Sequence, residues 1–219
     1  MPKISSKRQI TLPVEQCLEL GINPGDEYQS FVADGHITIV KKKPGAAEGV
    51  LKHIVANASI SDEESLQSAL FEGARLIAID TNVLLRYLLW DDEAQAAKAK
   101  LLINGPQPVL LTDIVLVETV WTLTGKKYQL DKSDVLALLN SLLEEPNIFF
   151  EDGQTVWRAI NDYRQAKQVN VGGKQNAAGF PDALIVNKGK FCIAQKHESF
   201  GGVYTFDIAA QQIPGTKCP

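Results

Sequence analysis

The chain has 219 residues, of which 45% are hydrophobic, so it is long enough for one large domain or two small ones with a real core. Its net charge of −4 excludes a protein that coats nucleic acid through overall positive charge, and any such contact must use local basic patches. Three cysteines lack metal-site or disulfide-framework spacing. Neither a signal segment nor a run of about 18 apolar residues occurs, which predicts a soluble cytoplasmic protein with no membrane partner.

The first 45 residues predict a small β-rich unit. Residues 3–12 alternate between polar and apolar types and stop at Pro13, as a strand does where its ladder cannot continue. A short helical turn is expected at 14–20, and two strands at 27–33 and 36–41 are joined by an Asp-Gly loop typical of a hairpin. So small a unit buries too little surface to be stable alone, and dimerisation by interleaved strands would solve this.

The sequences Lys-Ile-Ser-Ser-Lys-x-Gln-Ile-Thr-Leu-Pro and Pro-Gly-Asp-Glu in this unit resemble the swapped-hairpin DNA-binding domain of the AbrB and MazE type. That domain also forms the N-terminal half of some VapB antitoxins. The resemblance implies a dimer that binds operator DNA through Lys3, Ser5, Lys7, Arg8, Gln9 and Thr11. Lysine and arginine contact phosphate, whereas glutamine and arginine can read base edges. Arg8 departs from the family, which often has glycine there, and a solvated edge that guards against aggregation is the alternative.

Residues 46–75 predict a linker with apolar anchors rather than a bare spacer. Ser61 and Glu64 have the spacing of a capping box, which begins a helix that ends near Gly73. The pattern resembles the C-terminal tail of a VapB antitoxin, which wraps its toxin. The resemblance implies an inhibitory tail whose foremost residues are Leu51, Lys52 and His53. Either of its two basic side chains could place a cation against an acidic site and displace a metal.

Residues 76–219 predict an alternation of strands and helices. Strands are expected at 76–79, 109–111, 148–150 and 203–206, and helices at 83–90, 92–102, 113–125, 131–143, 155–167 and 182–198. The run at 191–194 has a strand as its alternative. Such alternation implies an α/β fold, a parallel sheet with helices on both faces and a site beyond the carboxyl ends of its strands. The tryptophans expected in the core are Trp90, Trp121 and Trp157.

Four acids in this region lie in or beside apolar runs: Asp80, Glu118, Asp182 and Asp207. A carboxylate inside a hydrophobic run is costly to bury alone, so we expect the four to gather around a divalent cation. Carboxylate oxygens suit Mg²⁺ or Mn²⁺. A helix cap or a solvated carboxylate is the alternative for any one of them. The residues expected to orient a carboxylate or a water, with helix cap and strand edge as alternatives, are Asn82 and Thr205.

Ile-Asp-Thr-Asn-Val-Leu-Leu at 79–85 and Thr-Phe-Asp at 205–207 resemble the PIN-domain ribonucleases, in particular the toxin of VapBC pairs. The resemblance covers about residues 76 to 213. It implies a Mg²⁺- or Mn²⁺-dependent endoribonuclease that acts on transfer or ribosomal RNA, with the four acids as catalytic and metal-binding residues. The whole chain thus resembles a fused antitoxin and toxin: a DNA-binding dimerisation domain (1–45), an inhibitory tail (46–75) and a nuclease domain (76–219).

Two other hypotheses remain open on the sequence alone. In one, the chain is a DNA-binding regulator whose nuclease-like region is inert and serves for oligomerisation. In the other, that region is a pure interaction module held silent by the tail. Mg²⁺-dependent cleavage of RNA distinguishes an enzyme from both.

Overall fold

The computed structural model describes residues 5–7, 9–33, 35–53 and 76–219. Lys3, Arg8 and most of the predicted tail, including its capping box, lie outside the described residues. Among the described residues, no helix combines the length and apolarity needed to cross a lipid bilayer.

Seven helices and nine short strands form the described part of the chain. The helices are α1 (Val14–Leu20), α2 (Thr81–Leu89), α3 (Glu93–Ile103), α4 (Asp113–Thr124), α5 (Lys132–Glu144), α6 (Gly153–Gln165) and α7 (Phe180–Gln195), with a 3-10 turn at Ala210–Gln212. The strands are β1 (Tyr28–Ala33), β2 (His36–Lys41), β3 (Ile77–Ala78), β4 (Val109–Leu111), β5 (Ile148–Phe150), β6 (Val169–Val171), β7 (Lys174–Asn176), β8 (Val203–Tyr204) and β9 (Thr216–Lys217). The predicted α/β fold is confirmed, and the run at 191–194 belongs to a helix.

A three-stranded parallel sheet in the order β3-β4-β5 lies at the centre of the C-terminal region. Its central strand is buried at Val109 and Leu111, as expected where helices cover both faces. The last predicted strand does not join this sheet, because β8 pairs with β9 instead: the backbone N–H of Val203 donates to Gly215 and that of Thr205 donates to Lys217.

Local sequence explains where the helices of this region begin. The side chain of Asp80 accepts a hydrogen bond from the backbone N–H of Val83, and Asp152 accepts one from Thr155, so each acid caps the helix that follows a strand. Helix α2 is apolar over most of its length, and residues 83–89 are all buried. It therefore runs through the interior, where its first turn lies at the carboxyl edge of the sheet.

The strand predicted at 3–12 is absent from the described residues of that range. The backbone N–H of Ser5 donates to the carbonyl of Gln9, and the N–H of Gln9 donates to the Ser5 hydroxyl. This local turn uses backbone groups that a cross-strand ladder would need. Helix α1 follows with no buried residue.

The hairpin of β1 and β2 packs against helix α6. The Phe31 ring stacks on Trp157 with a centroid separation of 5.2 Å, and both residues are buried. The side-chain amide of Gln154 donates to the carbonyl of Val32 and accepts from its N–H, at 2.6 and 2.9 Å. The hairpin and the C-terminal region therefore share one hydrophobic core.

Phe31→Ala should lower the free energy of unfolding by about 3–5 kcal/mol, the cost of removing a buried aromatic ring from a packed site. Ile37→Ala is the control, because Ile37 lies on the same hairpin but is 71% exposed, and its cost should stay within about 0.5 kcal/mol. Chemical denaturation monitored by tryptophan fluorescence measures both. Equal, small losses in the two variants would contradict the packing of the hairpin on α6.

Candidate active site

Asp80 and Glu118 are linked at the start of helix α2. Asp80 is exposed just beyond β3, and its Oδ1 is the atom that caps α2, 3.0 Å from the N–H of Val83. Thr81, the next residue, donates its hydroxyl to Oε2 of Glu118 at 2.6 Å. The central sheet and α4 thus bring these two acids to one place. Asn82 is exposed on the first turn of α2, one residue further along.

Asp182 and Asp207 each accept hydrogen bonds from nearby backbone N–H groups. Oδ2 of Asp182 accepts from the backbone N–H of Gly179 at 2.8 Å, at the start of α7. Burial raises the pKa of Asp182; the Gly179 bond opposes this and the charge of Asp207 adds to it. Oδ1 of Asp207 accepts from the N–H of Ala209 at 2.7 Å, and Thr205 accepts from the N–H of Asp207 at 3.1 Å. Thr205 therefore contacts the backbone of Asp207 and not its carboxylate.

These hydrogen bonds fit the ligand chemistry of a hard divalent cation. Among the described residues, each of the four carboxylates has one oxygen held by a neighbouring donor and a second oxygen with no hydrogen-bond donor. Helix capping, the alternative for a single acid, is therefore compatible with a second role. Within residues 5–7, 9–33, 35–53 and 76–219, however, no three acidic, histidine or cysteine side chains are grouped closely enough to hold a metal. Binding would require movement of these side chains, of which Asp80, Glu118 and Asp207 are exposed and Asp182 is half-buried.

Sequence reasoning missed Thr81, whose contact with Glu118 joins two elements far apart in the chain. It also missed a cluster that we call the Lys188 bridge. Nζ of Lys188 pairs with Asp113 at 2.6 Å and with Glu151 at 2.7 Å, and Oε1 of Glu151 accepts from the N–H of Asp113. Asp113 and Glu151 follow β4 and β5 much as Asp80 follows β3. The position of each acid just after a strand was therefore the feature of the sequence that could have predicted this cluster.

Opposing effects set the charges within the Lys188 bridge. Burial raises the pKa of Asp113, although its hydrogen bond with Lys188 opposes the shift. The hydrogen bond from Lys188 lowers the pKa of Glu151. Burial alone would lower the pKa of Lys188, but its bonds to the two carboxylates outweigh burial and raise it. The ammonium group therefore stays charged and neutralises part of the negative edge of the sheet.

One tryptophan prediction is wrong. Trp157 is buried, but Trp121 is 63% exposed. Ile114, Glu118 and Trp121 are spaced four and three residues apart, so they share one face of α4, and all three are exposed. Trp121 therefore lies on an exposed stripe of α4 and not in the core.

The predicted tail and DNA-binding residues occupy other surfaces. Leu51 is buried, and its N–H donates to the carbonyl of Leu88, eight residues beyond Asp80 and about 12 Å from it along α2. Lys52 and His53 are exposed, and among the described residues neither pairs with any of the four acids. The exposed residues of the N-terminal turn include Ser5, Lys7, Gln9 and Thr11.

Comparison with known families gives one match. Residues 77–187, just over half of the chain, match the family model described as the PIN domain. The matched range contains Asp80, Glu118 and Asp182, whereas Asp207 lies beyond it. The search of curated proteins found no match.

Asp182→Asn should stabilise the protein at pH 7 when divalent cations are removed with EDTA. A raised pKa means that the folded state holds the Asp182 proton more tightly than the unfolded state, so stability is lost as pH rises through the folded pKa. The variant avoids that loss, and its unfolding midpoint should rise by about 2–4 °C for each kcal/mol recovered. The gain should vanish near pH 3, below the ordinary aspartate pKa of about 3.9.

Glu93→Gln is the control, because Glu93 is an exposed acid on α3. Calorimetry at the two pH values compares it with Asp182→Asn. A midpoint of Asp182→Asn that matches the parent at pH 7 would show that Asp182 carries no electrostatic cost.

Proposed function

The chain belongs to the PIN-domain family, and we propose on that premise that it is a metal-dependent endoribonuclease fused to its own antitoxin. PIN domains are generally nucleases, and the observation that carries the proposal is that Asp80 follows a strand at the carboxyl edge of the parallel sheet, where the next residue, Thr81, donates to Glu118. Within the part of the chain that the structure describes, Asp80, Glu118, Asp182 and Asp207 each have one carboxylate oxygen without a hydrogen-bond donor. Ligands of α/β proteins bind at this edge.

We assign the metal to Asp80, Glu118, Asp182 and Asp207. Mg²⁺ or Mn²⁺ would activate a water and stabilise charge on the scissile phosphate. The chain itself prepares the site: Thr81 orients Glu118, and Gly179 holds one oxygen of Asp182. Burial, with a smaller contribution from the charge of Asp207, raises the pKa of Asp182, and a bound cation would offset this cost of keeping the carboxylate ionised.

RNA is the proposed substrate, with transfer or ribosomal RNA as the class that the VapC resemblance suggests. A polyanion approaching this edge meets the four proposed ligands and the acids Asp113 and Glu151. Lys188 neutralises part of that charge through its two ion pairs. The bridge therefore lowers the electrostatic barrier to a phosphate backbone without using the carboxylates that hold the metal.

Asp80→Asn should lower cleavage of total RNA in the presence of Mg²⁺ by about 100-fold or more, the loss typical when one electrostatic group of an active site is removed. The assay maps the cut ends that the full chain produces. Glu93→Gln should keep the parental rate. Full activity of Asp80→Asn would sink the metal-site assignment, and no cleavage by any protein would favour an inert, regulatory PIN domain.

We also propose that the N-terminal unit forms a homodimer, or a higher homo-oligomer, that binds operator DNA for autoregulation. Its exposed apolar side chains are Ile10, Val14, Leu18, Leu20, Tyr28, Val32 and Ile37. So much apolar surface on so small a unit is costly in water, and a second copy of the unit is the natural cover. The cations proposed to meet the DNA phosphates are Lys7, which is exposed, and Arg8, which follows it in the sequence.

The double variant Lys7→Ala/Arg8→Ala should weaken operator binding and flatten its salt dependence. The variant removes two phosphate contacts from each copy of the proposed homodimer, so the slope of log K against log salt should become shallower by about 3.6. Lys98→Ala/Lys126→Ala removes the same charge from exposed positions on the PIN domain and should leave the slope unchanged. Fluorescence anisotropy across a salt titration measures both. Identical slopes for the two double variants would mean that the basic turn is only a solvated edge.

A further inference from the structure

Residues 42–53, which we call the strap, cross the C-terminal ends of two helices of the PIN domain. At the end of α5, Nζ of Lys42 donates to the carbonyls of Leu143 and Glu145, both at 2.9 Å. The next backbone N–H of the strap donates to the carbonyl of Glu144 at 2.8 Å. The last carbonyls of a helix have no partner within it, so these strap donors satisfy groups that α5 leaves open.

The strap also donates hydrogen bonds to the last carbonyls of α2. The N–H of Gly49 donates to the carbonyl of Tyr87, and that of Leu51 donates to Leu88, both at 3.2 Å. The Leu51 side chain is only 2% exposed, so an apolar contact accompanies the polar ones. One segment of chain therefore caps two helices at once.

Glu145 lies between these two helix ends and is 0% exposed. Its Oε2 accepts from the N–H of Gly45 at 3.1 Å, and its Oε1 accepts from the N–H of Ala47 at 2.8 Å and from the Tyr87 hydroxyl at 2.7 Å. A buried carboxylate at the negative end of a helix dipole is costly unless donors surround it. Two of its three donors belong to the strap, and Gly45 supplies one of them with a φ of +72° that favours glycine.

The surface beneath the strap has a single chemical character. It presents the Glu145 carboxylate and the last carbonyls of α2 and α5, all of which accept hydrogen bonds and carry negative charge or partial charge. Its complement is a segment of consecutive turns that presents alternate backbone N–H groups, those of Gly45, Ala47, Gly49 and Leu51, together with a lysine. The strap has both features, and burial lowers the pKa of Lys42 while the charge of Glu145 opposes that shift.

We propose that this acceptor surface, centred on Glu145, is the antitoxin-recognition site of the PIN domain, and that the strap is its ligand. The inference rests on the proposed function, because it names the surface of the nuclease domain to which the antitoxin-like region binds. The carbonyl of Leu88 accepts a hydrogen bond from the strap, and Leu88 is eight residues along α2 from Asp80. This contact therefore lies about 12 Å from Asp80 along the helix. Recognition of the strap is therefore separate from the metal ligands.

The test uses two matched pairs of variants in the full chain. Lys42→Met removes a side chain that bonds to α5, whereas Lys43→Met loses the same charge but keeps the backbone bond that residue 43 makes. Glu145→Gln replaces one accepting oxygen with an amide NH₂ group, which cannot accept a hydrogen bond from the strap. Glu144→Gln neutralises the carboxylate at the preceding position. Lys42 and Lys43 lie outside the PIN domain, so that pair stays informative even if Glu145→Gln fails to fold.

Hydrogen–deuterium exchange of the amides of Gly45, Ala47, Gly49 and Leu51 is the first measurement. Lys42→Met and Glu145→Gln should speed their exchange by about 10-fold, the equivalent of about 1.4 kcal/mol of lost protection, while α7 amides keep parental rates. Strap exchange in Lys42→Met equal to that in Lys43→Met would overturn the proposal.

Cleavage of RNA on the same four variants is the second measurement. Faster cleavage by Lys42→Met than by Lys43→Met supports the assignment of the surface to antitoxin recognition. Faster strap exchange with unchanged cleavage, in a chain that does cut RNA, overturns that assignment. A complete lack of cleavage in every variant overturns the proposed nuclease activity, whereas the exchange result still decides whether Glu145 and Lys42 hold the strap.

Discussion

Parallel strands that end at one edge of a sheet place whatever follows them side by side. Here Asp80, Asp113 and Glu151 follow β3, β4 and β5, so three acids share the edge before any helix contributes another. Such crowding is tolerated only where each carboxylate has a donor or a cation nearby. Asp80 accepts a hydrogen bond from a backbone N–H group, and Asp113 and Glu151 pair with the ammonium group of Lys188. Helix α4 begins directly at this edge, because Asp113 is its first residue.

The sequence predicted what depends on local pattern. Apolar runs followed by capping acids predicted the alternation of strands and helices and placed Asp80 at a helix start, because a cap and its run are neighbours in the chain. Contacts between distant residues escaped it. Thr81 and Glu118 are 37 residues apart, and Lys188 and Glu151 are also 37 apart. The periodicity of a sequence does not reveal contacts between residues so far apart. For the same reason, the strand now seen as β8 was expected in the central sheet, whereas it forms its hydrogen bonds with β9.

In the described part of the chain, the three segments proposed, 1–45, 46–75 and 76–219, do not have separate hydrophobic cores. Phe31 from the first segment and Leu51 from the second both lie in the core that contains Trp157. A small hairpin was expected to need a partner, and within one chain it has α6 as such a partner. Composition could indicate the need for a partner but not which surface would provide it.

The amide of Gln154 gives the hairpin a further property. By pairing with both the N–H and the C=O of Val32, it fills the position that a neighbouring strand would occupy on the outer edge of β1. Any second chain that adds a strand along this edge must first displace that amide. Self-association through the hairpin and docking of the hairpin on α6 are then competing equilibria, so protein concentration would shift the balance between them by mass action.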